Sequence, residues 1–358
     1  MRKEFVFVAA SLAIAGSAIA VPQSYSYLRT IDMSPAPGGH ATSMLADSTG
    51  GLYVADNNDD RIYYFTNPLT DVYSTTATLR VYDAGTDPFG SFSWQGVTFD
   101  GTNIFVGGDN GGTSVLFKYA PNATPPTAWT ETRITMPAGR YTGPTAVAAN
   151  TLVAADKDTG SLNFFTISGS AATLANSTAA TSNTISQVLY SSALSKIFMS
   201  QKLDSAAGGI LQATSNGTFG GTSYSGAVNP VADTIPSSFT ASTTPLTYQN
   251  LAVNAAGQII GTARNQGTVG TLNHYDLFDV STAGTFKSPY QTINFSTTPQ
   301  GAASAINVVL GSAFFTKAGV TYLAVGVERG ASISTGQCRI YIFQPTPAAV
   351  GDWALYSN

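Results

Sequence analysis

Cysteine is almost missing from this 358-residue chain, with Cys338 standing alone. An intramolecular disulfide is therefore excluded, and without a C-x-x-C-H segment so is attachment of a c-type haem. The expected state of Cys338 is a buried, inert thiol, with an intermolecular bridge as the alternative. Charge is scarce too. Charged residues make up 10% of the chain and the formal net charge is −4, where an ordinary globular protein carries about 25% charged residues. No basic stripe exists for a nucleic-acid partner. The surface must be built from Ser, Thr, Asn, Gln and Gly, which suits an extracellular protein that tolerates close neighbours. Helical periodicity of useful length is also missing, and after the first twenty residues no stretch is apolar enough for a membrane helix.

What is present begins with a targeting segment at residues 1–20. Arg2 and Lys3 form its charged start, Phe5 to Ala15 its apolar run, and Ala18-Ile19-Ala20 an A-x-A cleavage site before Val21-Pro22. An uncleaved N-terminal anchor is the alternative. The expectation is a secreted protein whose single domain spans 21–358.

Within that span a strand pattern repeats six times, at a period on the order of 50 residues. Its second strands are LYVAD at Leu52, IFVGGDN at Ile104, LVAADKD at Leu152, IFMSQ at Ile197, QIIGTARN at Gln258 and YLAVGVE at Tyr322. A short strand precedes each one, beginning near Thr42, Gly96, Thr145, Ser186, Asn250 and Asn307. An aromatic-rich third strand follows, near Arg61, Val115, Ser161, Gly209, Leu272 and Cys338. Turns such as Asp47-Ser-Thr-Gly, Asp100-Gly-Thr-Asn and Asn254-Ala-Ala-Gly supply the positive φ of tight connections. Branched and aromatic residues dominate the strands. The expectation is an all-β, six-bladed β-propeller of four-stranded antiparallel blades. Ser26–Ile31 is expected to close the ring as outer strand of the last blade, with Trp353–Ser357 competing for that place. The loser would be a spare edge able to pair with another molecule. Asn216–Thr247 holds the outer strand of blade four, an excursion, or both.

The clearest repeat, Gly51–Phe65, resembles an NHL repeat, through Tyr53, Val54, Ala55, Asp56, Arg61, Ile62 and Phe65. Asp59 stands where that family usually has Asn, and later copies depart further: Ser161 takes the Arg position in blade three. The resemblance implies a binding platform. Some relatives of that kind are lyases or lactonases with a metal in the central channel.

Several constellations could carry chemistry. Asp56, Asn58 and Asp60 have the alternate spacing of a calcium loop's first ligands, but Arg61 replaces the next glycine and no Glu closes the loop. The competing reading is that Asp56 and Arg61 fix a hairpin. Asp156-Lys157-Asp158 raises the same choice. His40 precedes an inner strand and His274 sits on a third strand, so they are not expected to share a metal. No Gly-x-Ser-x-Gly nucleophile elbow occurs. After the leader the glutamates are Glu131 and Glu328 only, a poor supply for paired-carboxylate hydrolysis. Trp94, Trp129 and Trp353 read as inter-blade core or as carbohydrate-contacting rings. Asn122, Asn176 and Asn216 open N-x-S/T sequons.

These readings add up to an expected secreted, non-enzymatic propeller with a structural, self-assembling or adhesive role, without catalytic residues or cofactor unless calcium binds. Its expected partners are copies of itself or extracellular proteins and glycans. The alternatives are a secreted lyase or hydrolase working at the channel mouth, and a glycan- or protein-binding module.

Overall fold

A computed structural model describes residues 23–33, 41–56, 61–73, 93–110, 113–122, 129–177, 185–194, 196–201, 209–213, 217–219, 222–224, 228–231, 246–265, 274–279, 291–293, 306–329 and 337–346. Every regular element among them is a β-strand. In chain order, β1 (Tyr25–Asp32) is followed by a three-stranded sheet of β2 (Ala41–Ala46), β3 (Leu52–Asp56) and β4 (Arg61–Phe65). The second sheet is β5 (Ser93–Phe99), β6 (Ile104–Asn110), β7 (Thr113–Pro121) and β8 (Trp129–Ile134). The third is β9 (Thr145–Ala148), β10 (Thr151–Ala155), β11 (Leu162–Ser168) and β12 (Ala171–Ser177). The fourth takes β13 (Ile185–Ser191), β14 (Lys196–Gln201) and β15 (Gly209–Ala213). A two-stranded hairpin, β16 (Gly217–Phe219) with β17 (Thr222–Tyr224), then intervenes before its last strand, β18 (Val228–Val231). The fifth is β19 (Leu246–Val253), β20 (Gln258–Asn265), β21 (His274–Asp279) and β22 (Gln291–Ile293). The sixth is β23 (Ile306–Lys317), β24 (Val320–Arg329) and β25 (Gln337–Pro345), with β1 on its outer edge.

This is an all-β chain of antiparallel, mostly four-stranded sheets, as expected of a propeller. The first three strands of each sheet fall where the repeat places them. Segment 216–247 holds both things expected of it, the outer strand β18 and an excursion, β16–β17. The outer strands carry weak sequence signals because they have little to bury. In β12 the burial pattern is exposed at nearly every position, and β8 buries only its last residue.

Second strands read as continuous apolar runs because both their faces are covered. All five residues of β10 are buried, as in a strand packed between two layers. The hydrophobic core is accordingly divided into clusters that each join two consecutive sheets. Tyr53, Ile62, Val106 and Phe117 join the first and second, and Phe105, Leu116, Leu152 and Phe165 the second and third. Phe164, Val153, Val188 and Met199 join the third and fourth. Ile260, Leu277, Val325 and Tyr341 join the fifth and sixth, and Val54, Tyr63, Phe315 and Ile340 the sixth and first. Cys338 is fully buried in this last cluster.

The N-terminal strand is an integral part of the sixth sheet. β1 pairs with β25 from Tyr25↔Pro345 to Asp32↔Arg339, and Ile31 and Tyr25 enter the two clusters on either side of that sheet. Gln291 of the fifth sheet clamps it further. Its Oε1 accepts the Tyr25 N–H at 2.8 Å and its Nε2 donates to the Tyr25 carbonyl at 2.7 Å. Trp353–Ser357, the competing strand, lies outside the described residues.

Candidate axial site

Each inner strand (β2, β5, β9, β13, β19 and β23) forms one edge of its sheet, and such an edge exposes backbone N–H and C=O groups without a ladder partner. All six also carry a register irregularity against their second strand. A bulge of this kind re-aims side chains and backbone groups. The inner strands contact one another in chain order, β2 with β5, β5 with β9, β9 with β13, β13 with β19 and β19 with β23, and β23 contacts β2.

Side chains on these strands hold the edge N–H groups of the next sheet. Ser43 Oγ accepts from the Val97 N–H at 3.2 Å. Thr98 Oγ1 accepts from Ala146 at 2.8 Å and Thr145 Oγ1 from Tyr190 at 3.2 Å. Gln187 Oε1 accepts from Leu251 at 2.6 Å. Four side chains, one each on β2, β5, β9 and β13, thus staple the first five sheets in series. The sequence carries no visible signal for these residues, because Ser and Thr are abundant and only the bulge gives these particular ones their direction.

Between the six inner strands lies a cavity of about 420 Å³, inside the size range of small-molecule sites, roughly 300–1,000 Å³. Every inner strand contributes to its wall. Much of the wall is aliphatic, with Thr98, Thr145, Gln187, Tyr190, Ser192 and Ser312 among its polar residues. Asp100 is the one carboxylate among the described lining residues, and both its oxygens are committed. Oδ1 accepts the N–H groups of Thr102 and Asn103 at 2.9 and 2.7 Å, and Oδ2 accepts the Asn150 N–H at 3.0 Å. Asp100 is therefore held as a turn-former. Asp47 and Asn254 do the same work in the equivalent turns of the first and fifth sheets. Gly50 and Gly257, at φ +79° and +86°, close those turns in the left-handed region.

The residues singled out from sequence lie elsewhere. Asp56 ends β3, paired across the hairpin with Arg61 and across the sheet with Ala41. It stands at the opposite strand end from the Asp47 turn. Asn58, Asp60 and His40 lie outside the described residues. In the third sheet the equivalent Asp156 has its Oδ1 accepting from the N–H groups of Asp158 and Thr159 at 2.9 and 3.4 Å, while Asp158 pairs with Arg140 at 3.4 Å. That copy of the motif organises a turn. His274 pairs with Ala263 on a third strand, away from the cavity wall. Glu131 is on β8, accepting from the Tyr119 hydroxyl at 3.1 Å, and Glu328 is on β24. Trp129 packs edge-on against Tyr53 with ring centroids 6.0 Å apart. It belongs to the contact between the first two sheets rather than to an exposed platform. Among the described residues no three His, Cys, Asp or Glu side chains gather into a metal-binding group.

No family model matches the chain, and neither does any curated protein sequence. Solved structures do resemble it. The PQQ-bound aldose sugar dehydrogenase of Streptomyces coelicolor shares 12% identity at a TM-score of 0.53, covering 90% of this chain and 98% of its own. Regucalcin of Agrobacterium tumefaciens, a calcium-binding protein, shares 9% identity at a TM-score of 0.51, covering 89% and 96%. A Dyadobacter fermentans protein of unknown function shares 9% identity at a TM-score of 0.54, covering 91% and 100%. Likeness at such identity is one of fold, and the fold is a β-propeller.

These neighbours correct the expectation of a non-enzymatic structural, self-assembling or adhesive protein. The fold is shared across nearly the whole chain with a sugar dehydrogenase and with a calcium-binding regucalcin, so the propeller itself does not mark a structural or adhesive protein. The structural reading leaned on low surface charge, on the lack of a catalytic constellation in the sequence and on a spare terminal strand. Low charge does not distinguish a scaffold from an enzyme of neutral substrates, and with β1 taken up in the sixth sheet the only candidate spare strand is Trp353–Ser357, outside the described residues. The neighbours also bring a cofactor or a metal into consideration. Tested against the described cavity wall, neither group fits. Calcium takes six to eight oxygen ligands, several of them carboxylates, and the one carboxylate present is already bonded to backbone. PQQ carries carboxylates, and no Lys, Arg or His is among the described lining residues.

Proposed function

We propose that this chain is an exported six-bladed propeller enzyme, of hydrolase or lyase type, whose axial cavity takes a small, neutral, hydroxyl-rich substrate such as a sugar or a sugar lactone. The cavity carries the reading, since all six inner strands build one space of about 420 Å³ with no net cationic character in its described wall. Aliphatic wall residues suit the C–H faces of a sugar ring, and neutral hydroxyl and amide groups suit its oxygens. A ring of six blades is supported by the cyclic order of inner-strand contacts, and closure by the pairing of β1 with β25. The kinship with NHL-type propellers rests on the single repeat at Gly51–Phe65. Export rests on the leader at 1–20, and removing that leader leaves no other apolar span in the sequence. Calcium at Asp56, Asn58 and Asp60 is part of the same proposal, as a separate site at the opposite strand end.

The test uses the purified mature chain against a panel of neutral aldoses and their lactones, with calcium present or chelated. The expected result is a saturable rise in melting temperature with at least one of them, with turnover of that compound. A chain that is neither stabilised by nor active on any member of the panel refutes the reading. Calorimetric titration with calcium decides the Asp56 turn independently.

A further inference from the structure

The fifth and sixth inner strands both depart from the stapling pattern, with Leu251 in β19 and Ser312 in β23 at the place that Ser43 takes in β2. Ser43 in β2, Gln187 in β13 and Ser312 in β23 occupy equivalent places. Each is the first paired residue after an irregularity in its strand (the second of two in β23), opposite Ala55, Ser200 and Val325 respectively. Ser43 and Gln187 each hold an N–H of the next sheet. The Ser312 side chain, in a residue only 3% exposed, has a buried hydroxyl with no hydrogen-bond partner. A buried hydroxyl left unpaired loses its hydration without compensation, and such groups are rare in native proteins. Ser312 also belongs to the wall of the axial cavity. Its backbone is pinned there, since a Cβ on the preceding Gly311 would come within 2.7 Å of the Ser43 Cα. Rotation about χ1 among its staggered positions is what is left to redirect the hydroxyl.

We infer that Ser312 Oγ is a ligand-contacting group of the axial cavity, exchanging a hydrogen bond with a hydroxyl or carbonyl oxygen of a neutral bound molecule. The inference rests on the axial-site reading and names the residue through which that site holds its substrate. Where Ser43 and Gln187 spend their polar atoms on the architecture, Ser312 keeps its own for the occupant.

Three variants of the full mature chain test this: Ser312→Ala, Ser312→Cys and Ser43→Ala. Ser312→Cys should react with a small methanethiosulfonate under native conditions at least tenfold faster than the buried Cys338 of the wild type. A rate no higher than wild type overturns the inference, because the position is then sealed from the cavity. Ser312→Ala should melt at or above the wild-type temperature, while Ser43→Ala melts below it. Equal losses in both would make Ser312 another staple and also overturn the inference. With the most stabilising sugar or lactone of the panel, Ser312→Ala should bind at least tenfold more weakly. Unchanged affinity refutes the role of Ser312 and leaves the axial site standing. If the wild type binds no panel member, the axial-site reading fails, and the labelling and melting arms still decide whether Ser312 faces the cavity.

Discussion

Asp47 concentrates more local structure than any other described side chain of the first sheet. Its Oδ1 accepts from the Thr49 and Gly51 N–H groups at 2.8 and 2.9 Å, and its Oδ2 from the Tyr64 hydroxyl at 2.7 Å. Tyr64 in turn stacks on Tyr53 with centroids 4.3 Å apart. Asp47→Ala therefore orphans several donors at once and should lower stability by about 1–3 kcal/mol, read from urea unfolding; a loss below a few tenths would mean that water replaces the carboxylate. The same neighbourhood sets an alkaline limit. Burial, reinforced by the Asp47 carboxylate, pushes the Tyr64 hydroxyl up to about 12, and burial pushes Tyr25 up to about 12. Tyr53 is raised as well, by burial and by its neighbours Tyr64 and Asp47. An unfolded tyrosine loses its proton near 10. The stability these groups contribute is intact below that pH and is lost as the pH climbs from 10 to 12, since the unfolded chain is the first to ionise. Urea midpoints should hold between pH 8 and 9.5 and fall steeply above 10, with Tyr64→Phe showing a shallower alkaline fall. The turn residues were legible in the sequence, because an Asp or Asn closely followed by Gly, as at Asp47, Asp100 and Asn254, has few other uses between two strands. The staples Ser43, Thr98, Thr145 and Gln187 were not, because nothing in composition separates them from the many hydroxyl and amide residues of the surface.

Elements show the same division between what burial writes into a sequence and what it leaves blank. Second strands such as β10, covered on both faces, appear as unbroken apolar runs and could be placed to within a residue or two. Outer strands such as β12, with almost nothing to bury, left no pattern to read. The closing strand lies between these cases. Its Tyr25 and Ile31 are buried, but the intervening residues are mostly half-exposed, so the sequence placed a strand on the last sheet without separating it from its competitor Trp353–Ser357. In the structure β1 pairs with β25, and Gln291 clamps it there. Gln291→Ala removes both hydrogen bonds to the Tyr25 backbone and should cost about 1–3 kcal/mol. Deleting 23–32 also strips the β25 edge and two clusters of their buried side chains, and it should abolish the cooperative thermal transition. A well-folded deletion product, judged by near-ultraviolet circular dichroism, would show that β1 is an accessory to the sixth sheet.

At the scale of the whole molecule, periodicity revealed the sheets, yet it could not distinguish a ring from an open stack. In a solenoid each repeat leans only on its neighbours, and terminal repeats can be trimmed. A ring has no terminal repeat. Here the described ends meet: the Thr346 N–H donates to the Ser24 carbonyl at 2.8 Å, and Gln23 Nε2 donates to the Thr346 carbonyl at 2.7 Å. The proposed ring therefore makes a pair of opposite predictions. A circular permutant joining residue 346 to residue 23 through a short Gly/Ser linker, reopened at the exposed Gly169–Ser170 turn between β11 and β12, keeps every sheet-to-sheet contact. Exposed turns are the sites where such reconnection is tolerated. It should unfold in one cooperative transition near that of the parent. The fragment 23–177, which keeps the first three sheets and β1, loses the sixth sheet that β1 pairs with and exposes the face of the third sheet that packs on Val188 and Met199. It should be insoluble or lack a transition. An open stack reverses both results: the fragment would fold as a shorter solenoid, and moving the chain ends into the middle of the third sheet would destabilise the permutant.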